Sequence, residues 1–239
     1  MIQYILKGVV MPERALLSIT GSRSVELIHS GTGRTISVDL SIVLNQITVW
    51  VQSEFPWDLH DLRNIVLYHV NNVCACMAFA KGLAYEVDIR QVLNKEQGID
   101  YVYGIEVPCI AERRKTEEEV TDLFNDVLRK RIGKQGIYIN RCVNDLKMAL
   151  SHSEDTAFYC FRAIESLRFY CEHAYAIAKE SEQWQKVASL SGYDRGYIEQ
   201  IARWAGTERH GGAQYYSGDQ RAEMLTKTWN VVEGFITNL

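Results

Sequence analysis

The chain has 239 residues and a net charge of −4, and hydrophobic and charged residues make up 47% and 23% of it. This composition is typical of a globular protein and excludes intrinsic disorder, and the length allows one large domain or two small ones. Residues 1–150 hold 17 basic and 18 acidic side chains, and residues 151–239 hold 9 and 12. Neither part is a broad cationic surface, which weighs against a protein that grips long nucleic acid through many phosphates.

The first part of the chain is rich in β-branched residues separated by turn residues, a pattern typical of strands. Apolar residues then recur every three to four positions from Trp57 to about Lys81, which predicts one long helix that ends at Gly82. The predicted strands are Ile2–Gly8, Ala15–Thr20, Val25–His29, Thr35–Leu40, Gln46–Val51, Ala84–Val92 and Tyr101–Val107. The sequence therefore predicts an α+β N-terminal domain at 1–110, an antiparallel sheet with the long helix packed on it.

The rest of the chain has the periodicity of helices. Residues 111–137 are highly charged around one apolar stripe and indicate a helical connector. Residues 138–239 carry the remaining predicted helices: Ile139–Ser151, Glu154–Ala178, a shorter one around Trp184 and Leu190, one from about Asp194 to Ala205, and Asp219–Leu239. Four or five antiparallel helices of this length predict an all-α bundle.

Nothing in the sequence directs the chain to a membrane. The apolar start, Met1–Val10, is too short for a signal peptide, and no apolar run approaches the ~18 residues that span a bilayer. The six cysteines are scattered without a C-x-x-C pair, which favours reduced, buried thiols over a zinc site. We therefore expect a cytoplasmic protein with no membrane contact, no metal and no other cofactor.

Two segments of the C-terminal part resemble a known family. The helix Phe158-Tyr-Cys-Phe-Arg-Ala-Ile-Glu-Ser-Leu-Arg168 looks like the long helix of HEPN domains. The stretch Ile201-Ala-Arg-Trp-Ala-Gly-Thr-Glu-Arg-His-Gly211 is similar to the segment in which those domains carry an Arg and a His four to six residues apart. The resemblance covers about residues 138–239 and implies a HEPN-like bundle, as in stand-alone bacterial HEPN proteins. Trp204 stands where catalytic members usually have a polar residue.

This resemblance implies a metal-independent ribonuclease, a toxin or phage-defence effector that acts as a homodimer. The site would contain Arg203 and His210 as the Arg-x6-His pair, with Glu165 orienting one of them. Histidine can transfer protons near neutral pH, and arginine stays charged beside a phosphate. The ligand would be RNA or a nucleotide, with a protein partner as a further candidate through the N-terminal domain. The resemblance also implies a ligand-binding set: Arg209, Arg162 and Tyr215.

The residues leave alternatives open. Arg162 and Glu165 are three apart and could form an ion pair on one helix face. Arg203 and His210 could satisfy carbonyl groups at a helix end. The second function that fits the pattern is a non-catalytic module that binds a nucleotide, RNA or a protein, or that only dimerises. A rival Arg-Asn-x4-His match at Arg63 and His69 is interpreted as a coincidence, with His69 packed against the sheet.

Overall fold

The protein is described by a computed structural model over residues 1–20, 24–29, 32–105, 107–113, 116–206, 214 and 216–239. The chain divides into two compact units, Met1–Ile105 and Glu106–Leu239. The first is an antiparallel sheet with a long helix, and the second is helical throughout its described elements. Each unit has its own hydrophobic core. The predicted α+β fold is confirmed.

Six antiparallel strands form the sheet of the N-terminal unit, in the order β2-β3-β4-β1-β5-β6. Along β1, β3 and β4, buried side chains alternate with more exposed ones, as expected of a sheet with one face on the core. The strands are β1 Ile2–Met11, β2 Val25–Ile28, β3 Thr35–Val43, β4 Gln46–Ser53, β5 Glu86–Asn94 and β6 Ile99–Val102.

The long helix α1 spans Leu59–Lys81 and covers the buried face of the sheet with Leu62, Val66 and Val70. The Asp58 carboxylate accepts hydrogen bonds from two backbone N–H groups of the first turn and caps the helix. Gly82 ends it in the left-handed conformation, at φ 65°, where a side chain would be strained. The predicted helix is confirmed, and it begins at Leu59 rather than at Trp57.

The segment predicted as a strand at Ala15–Thr20 is not one. Glu13–Ala15 forms a short 3₁₀ turn, and only Ile19 of this segment bridges to the sheet, pairing with Ile42. The buried Asn45 side chain explains the difference, because it accepts a hydrogen bond from the Leu17 N–H at 2.5 Å and donates to the Glu13 carbonyl at 2.7 Å. One asparagine thus satisfies backbone groups that a strand would have paired with a neighbour.

The helical unit contains α2 to α8 within the described residues. The five helices from α4 onward enclose one apolar core, and α5 lies at its centre, packed on α4, α6, α7 and α8. This arrangement confirms the predicted helical bundle. The bounds are α2 Pro108–Ala111, α3 Glu117–Lys130, α4 Gly136–Ser151, α5 Thr156–Ala174, α6 Glu180–Ser191, α7 Arg195–Trp204 and α8 Gly218–Thr237.

Two contacts fix the direction of α8 relative to α5. The Arg221 Nε donates a hydrogen bond to Thr156 Oγ1 at 3.0 Å, and further along both helices Tyr170 packs edge-on against Phe235. The two contacts are 14 residues apart on each helix and come in the same order, so α5 and α8 run parallel and begin at the same end of the unit.

Helix α7 runs antiparallel to α8. The Asn230 amide donates to the Tyr197 hydroxyl at 3.0 Å, and earlier in α8 Lys227 contacts Gln200, later in α7. Helix α7 therefore ends where α8 begins. Helix α4 also ends there, because it joins α5 through a short turn at 152–155. We call this place, where α4 and α7 end and α5 and α8 begin, the loop end.

Candidate functional site

Two residues that the sequence singled out, Arg162 and Arg203, lie on helices that meet at the loop end. Arg162 lies in the second turn of α5, and its side chain points back towards the start of that helix, as helical side chains do. Arg203 lies in the last turn of α7 and is exposed. Arg221, which the sequence did not single out, lies in the first turn of α8. Three helices therefore each supply an arginine to this end.

Arg162 pairs with Asp145 of α4, with 3.3 Å between Nη2 and Oδ1. The side chain of Asp145 is only 9% exposed, whereas 46% of the Arg162 side chain faces solvent. The Arg162 guanidinium also lies over the rings of Phe158 and Tyr159, at 5.4 and 6.0 Å from their centroids. The spacing suggested that Arg162 pairs with Glu165. Arg162 pairs instead with the buried Asp145 of the neighbouring helix α4.

Titratable groups at this end are perturbed by burial. Burial raises the pKa of Asp145, although the nearby Arg162 and Arg141 act in the opposite direction. Burial and then the charge of Asp155 raise the pKa of the Tyr159 hydroxyl. Burial also raises the pKa of Asp155, with Glu154 adding to the effect and His152 opposing it. Clusters of groups with perturbed pKa values are more frequent at functional sites than elsewhere.

The end of α7 and the start of α8 are each held by a side-chain hydrogen bond. The Tyr216 hydroxyl donates a hydrogen bond to the Trp204 carbonyl at the end of α7, and Tyr216 is 7% exposed. Ser217 then starts α8 with a capping box, in which its hydroxyl and the Gln220 side chain satisfy each other's backbone N–H. The predicted site residues Arg209, His210 and Tyr215 belong to the intervening segment and lie outside the described residues.

Sequence reasoning missed Lys227, which lies in the groove between α7 and α8. Its ammonium group contacts Gln200 and Glu223, the latter at 3.0 Å. The same group lies over the rings of Tyr197 and Trp204, at 5.1 and 5.5 Å from their centroids. Tyr197, Gln200 and Trp204 are three to four positions apart, so their spacing predicts that they share one face of α7. No sequence signal linked that face to Lys227.

Glu165 lies further from the loop end and pairs with another residue. Its carboxylate is 3.9 Å from Arg168, whose side chain is 11% exposed. Arg168 also donates to the Gln183 side chain at 2.6 Å and lies over the Phe169 ring at 4.1 Å. Among the described residues, no hydrogen-bond partner reaches its buried Nε. Glu165 thus belongs to a packed contact between α5 and α6, and the described contacts do not link it to Arg203.

The rival pair of the N-terminal unit has structural contacts. Arg63 donates to the Ile89 carbonyl at 3.0 Å and lies over the Tyr103 ring, at 5.2 Å from its centroid. His69 is half-buried, and burial lowers the pKa of its ring. These contacts attach α1 to β5 and give no indication of a reactive centre.

The described residues include no group of three His, Cys, Asp or Glu side chains placed to hold a metal ion. They also include no helix long and apolar enough to cross a membrane. All six cysteines are free thiols, and Cys74, Cys142, Cys160 and Cys171 are buried.

Comparison with known proteins corrects the expected family. Residues 4–103 match the model described as the domain of unknown function (DUF8168) N-terminal domain, and residues 124–239 match its C-terminal domain. No HEPN family model matches, so the resemblance to HEPN domains was wrong. It depended on short Arg-Ala-Ile-Glu and Arg-x6-His patterns, which recur by chance in helical proteins. Neither a curated protein nor a solved structure matches the chain.

Proposed function

Because the chain belongs to the DUF8168 family, whose domains are described as of unknown function, we propose a function from its own residues. The helical unit is a non-catalytic binding module. Its loop end recognises the phosphate of a nucleotide or of the terminus of an RNA strand. Six cysteines without a disulfide, four of them buried, fit an assignment to the cytoplasm.

The observation that carries this proposal is that Arg162, Arg203 and Arg221 lie on three helices that meet at the loop end, where the parallel helices α5 and α8 begin. The start of a helix is the positive end of its dipole, which attracts anions. Arginine adds a permanent charge and a planar fork that matches phosphate oxygens. In the sequence, Arg209 and His210 lie between Arg203 and Arg221.

Aromatic side chains at the same end suit a base. Phe158 and Tyr159 flank the Arg162 guanidinium, and Trp204 ends α7. Stacking of a base on an aromatic ring tolerates many sequences, because every base has a π-face. The charge of residues 151–239, with 9 basic and 12 acidic side chains, favours a ligand with few phosphates over a long strand.

The position of Glu165, the acid expected to orient Arg203 or His210, favours binding over cleavage. Glu165 pairs with Arg168, and Asp145, the acid that pairs with Arg162, is only 9% exposed. An acid that is closed to water and already paired with an arginine supports that arginine and is out of reach of a bound ligand's protons.

The test compares three probes: a nucleoside triphosphate, a short RNA with a 5′-phosphate and the same RNA with a 5′-hydroxyl. Binding is followed by fluorescence anisotropy and calorimetry in EDTA. We expect affinity that depends on the terminal phosphate. Arg203→Ala should weaken it at least about tenfold, since a hydrogen bond to a charged group contributes ~1.5–3 kcal/mol. Arg129→Ala is the matched control, because Arg129 is a largely exposed arginine on α3.

Equal binding of the two RNAs, with no binding of the nucleotide, would refute recognition of a phosphate terminus. Equal losses in Arg203→Ala and Arg129→Ala would show that the loop end is not the site. Cleavage of RNA in EDTA that disappears in His210→Ala would replace the binding role with a catalytic one.

A further inference from the structure

Helix α3 has an apolar stripe that its own unit leaves uncovered. None of the side chains between Glu117 and Lys130 is buried, although the helix is strongly amphipathic. Phe124, in the middle of the helix, is 60% exposed, and Val120 is 49% exposed. A helix with such a stripe depends on burying it for most of its stability.

One edge of this stripe faces the bundle and the other faces away. Val127 packs against the core of the helical unit, and Lys130 donates a hydrogen bond to the Ile236 carbonyl near the end of α8. At about 100° per residue, the part of the stripe next to Val127, turned away from the bundle, carries five residues within an arc of about 80°. They are Glu117, Val120, Phe124, Leu128 and Arg131.

This row is self-complementary when reversed. Glu117 and Arg131 lie equally far from Phe124 on its two sides, and so do Val120 and Leu128. We propose that the row is a homodimer interface, in which α3 of a second copy of this chain packs antiparallel to it. This inference does not depend on the proposed binding function.

The antiparallel arrangement pairs every position with a compatible one. Phe124 meets the same residue of the second copy on the two-fold axis, which is the geometry of an isologous interface. Val120 packs on Leu128 at both sides of that axis. At the two ends, Glu117 of each copy faces Arg131 of the other, so the interface contains two opposite-charge pairs. A parallel arrangement would place like charges together instead and is disfavoured.

The size of the row sets the strength of the dimer. Fourteen residues make a helix about 21 Å long at 1.5 Å per residue, and one helix face covers well under the ~800 Å² per partner of a standard interface. We therefore expect a weak, reversible dimer with a dissociation constant on the order of micromolar.

The test is sedimentation equilibrium of the full chain over a range of concentrations, with charge reversals in matched pairs. Glu117→Arg should weaken the dimer roughly tenfold, since it turns two attractive pairs into two repulsive ones. Glu118→Arg makes the same charge change one residue along, outside the row, and should leave the dimer unchanged. Adding Arg131→Glu to Glu117→Arg restores both pairs with reversed signs, and dimerisation should return.

Phe124→Asp should give a monomer with an unchanged circular dichroism spectrum, because this side chain is largely exposed. A wild-type protein that is monomeric at all concentrations would overturn the proposal, including the case in which the N-terminal unit of the same chain covers the row. Equal effects of Glu117→Arg and Glu118→Arg would overturn it too.

Discussion

The hydrogen bond between Arg221 and Thr156 fixes the start of α8 beside the start of α5, and Thr156→Val removes it without a large change of volume. Thr156 is fully buried. Its Oγ1 accepts from the Arg221 Nε at 3.0 Å, and its hydroxyl donates to the Ser153 carbonyl at 3.1 Å. Valine satisfies neither group, so the charged donor of Arg221 loses this acceptor at a site largely closed to water.

The magnitude follows from the kind of bond. A hydrogen bond that involves a charged group contributes ~1.5–3 kcal/mol, so we expect Thr156→Val to lower the free energy of unfolding by about 2 kcal/mol. In a unit of this size that is a fall in melting temperature of roughly 6 °C. Thermal unfolding followed by circular dichroism measures it, and hydrogen exchange should show faster opening of the first turns of α5 and α8.

Thr228→Val is the control. Thr228 is equally buried, but its hydroxyl donates to the Met224 carbonyl one turn earlier in the same helix and joins no second helix. Its replacement should change stability little, because that carbonyl keeps its place in the helical hydrogen-bond ladder. If both substitutions lower the melting temperature equally, or if neither does, the contact between α5 and α8 is not what holds the loop end together.

Three further outcomes follow from the packing and burial of single residues. Burial raises the pKa of Asp145, so its ionisation costs stability as the pH rises from the unfolded-state value of about 3.9 through the folded one. Asp145→Asn should therefore gain stability relative to the wild type as the pH rises above about 4, measured by urea titrations. An added Cβ at Gly234 would lie 2.2 Å from the Ser191 carbonyl oxygen, so Gly234→Ala should destabilise α6 against α8 by ~1–3 kcal/mol in thermal unfolding. Alkylation followed by mass spectrometry should modify the exposed Cys76 in the native protein, and Cys142, whose thiol pKa is raised by burial, only after unfolding.

Much of the fold could be predicted because local patterns and packing agree. The period of α1 and the glycine at position 82 predict the helix and its end, and both are present. The segment Ala15–Thr20 could not be predicted correctly, because its conformation depends on the side chain of Asn45, which is distant in sequence. A strand-like composition there reflects burial of Leu17 in the core rather than pairing in the sheet.

The candidate site was predictable only in part. The sequence placed Arg162 and Arg203 in helices, but which helix ends meet depends on contacts such as the one between Arg221 and Thr156. The partner of Arg162 could not be read from spacing, because Asp145 lies on another helix. The expected HEPN family was wrong for a related reason: short motifs do not encode the packing that distinguishes one helical bundle from another.

The central claim is that the loop end binds a phosphate-bearing ligand, and hydrogen–deuterium exchange with and without a nucleoside triphosphate or a 5′-phosphorylated RNA tests it most directly. Binding there should slow exchange in residues 152–162, 203–206 and 216–221 and leave α1 and the sheet unchanged. The protection should disappear in Arg203→Ala and persist in Arg129→Ala. Protection confined to other regions, or no protection at ligand concentrations that saturate binding, would contradict the account.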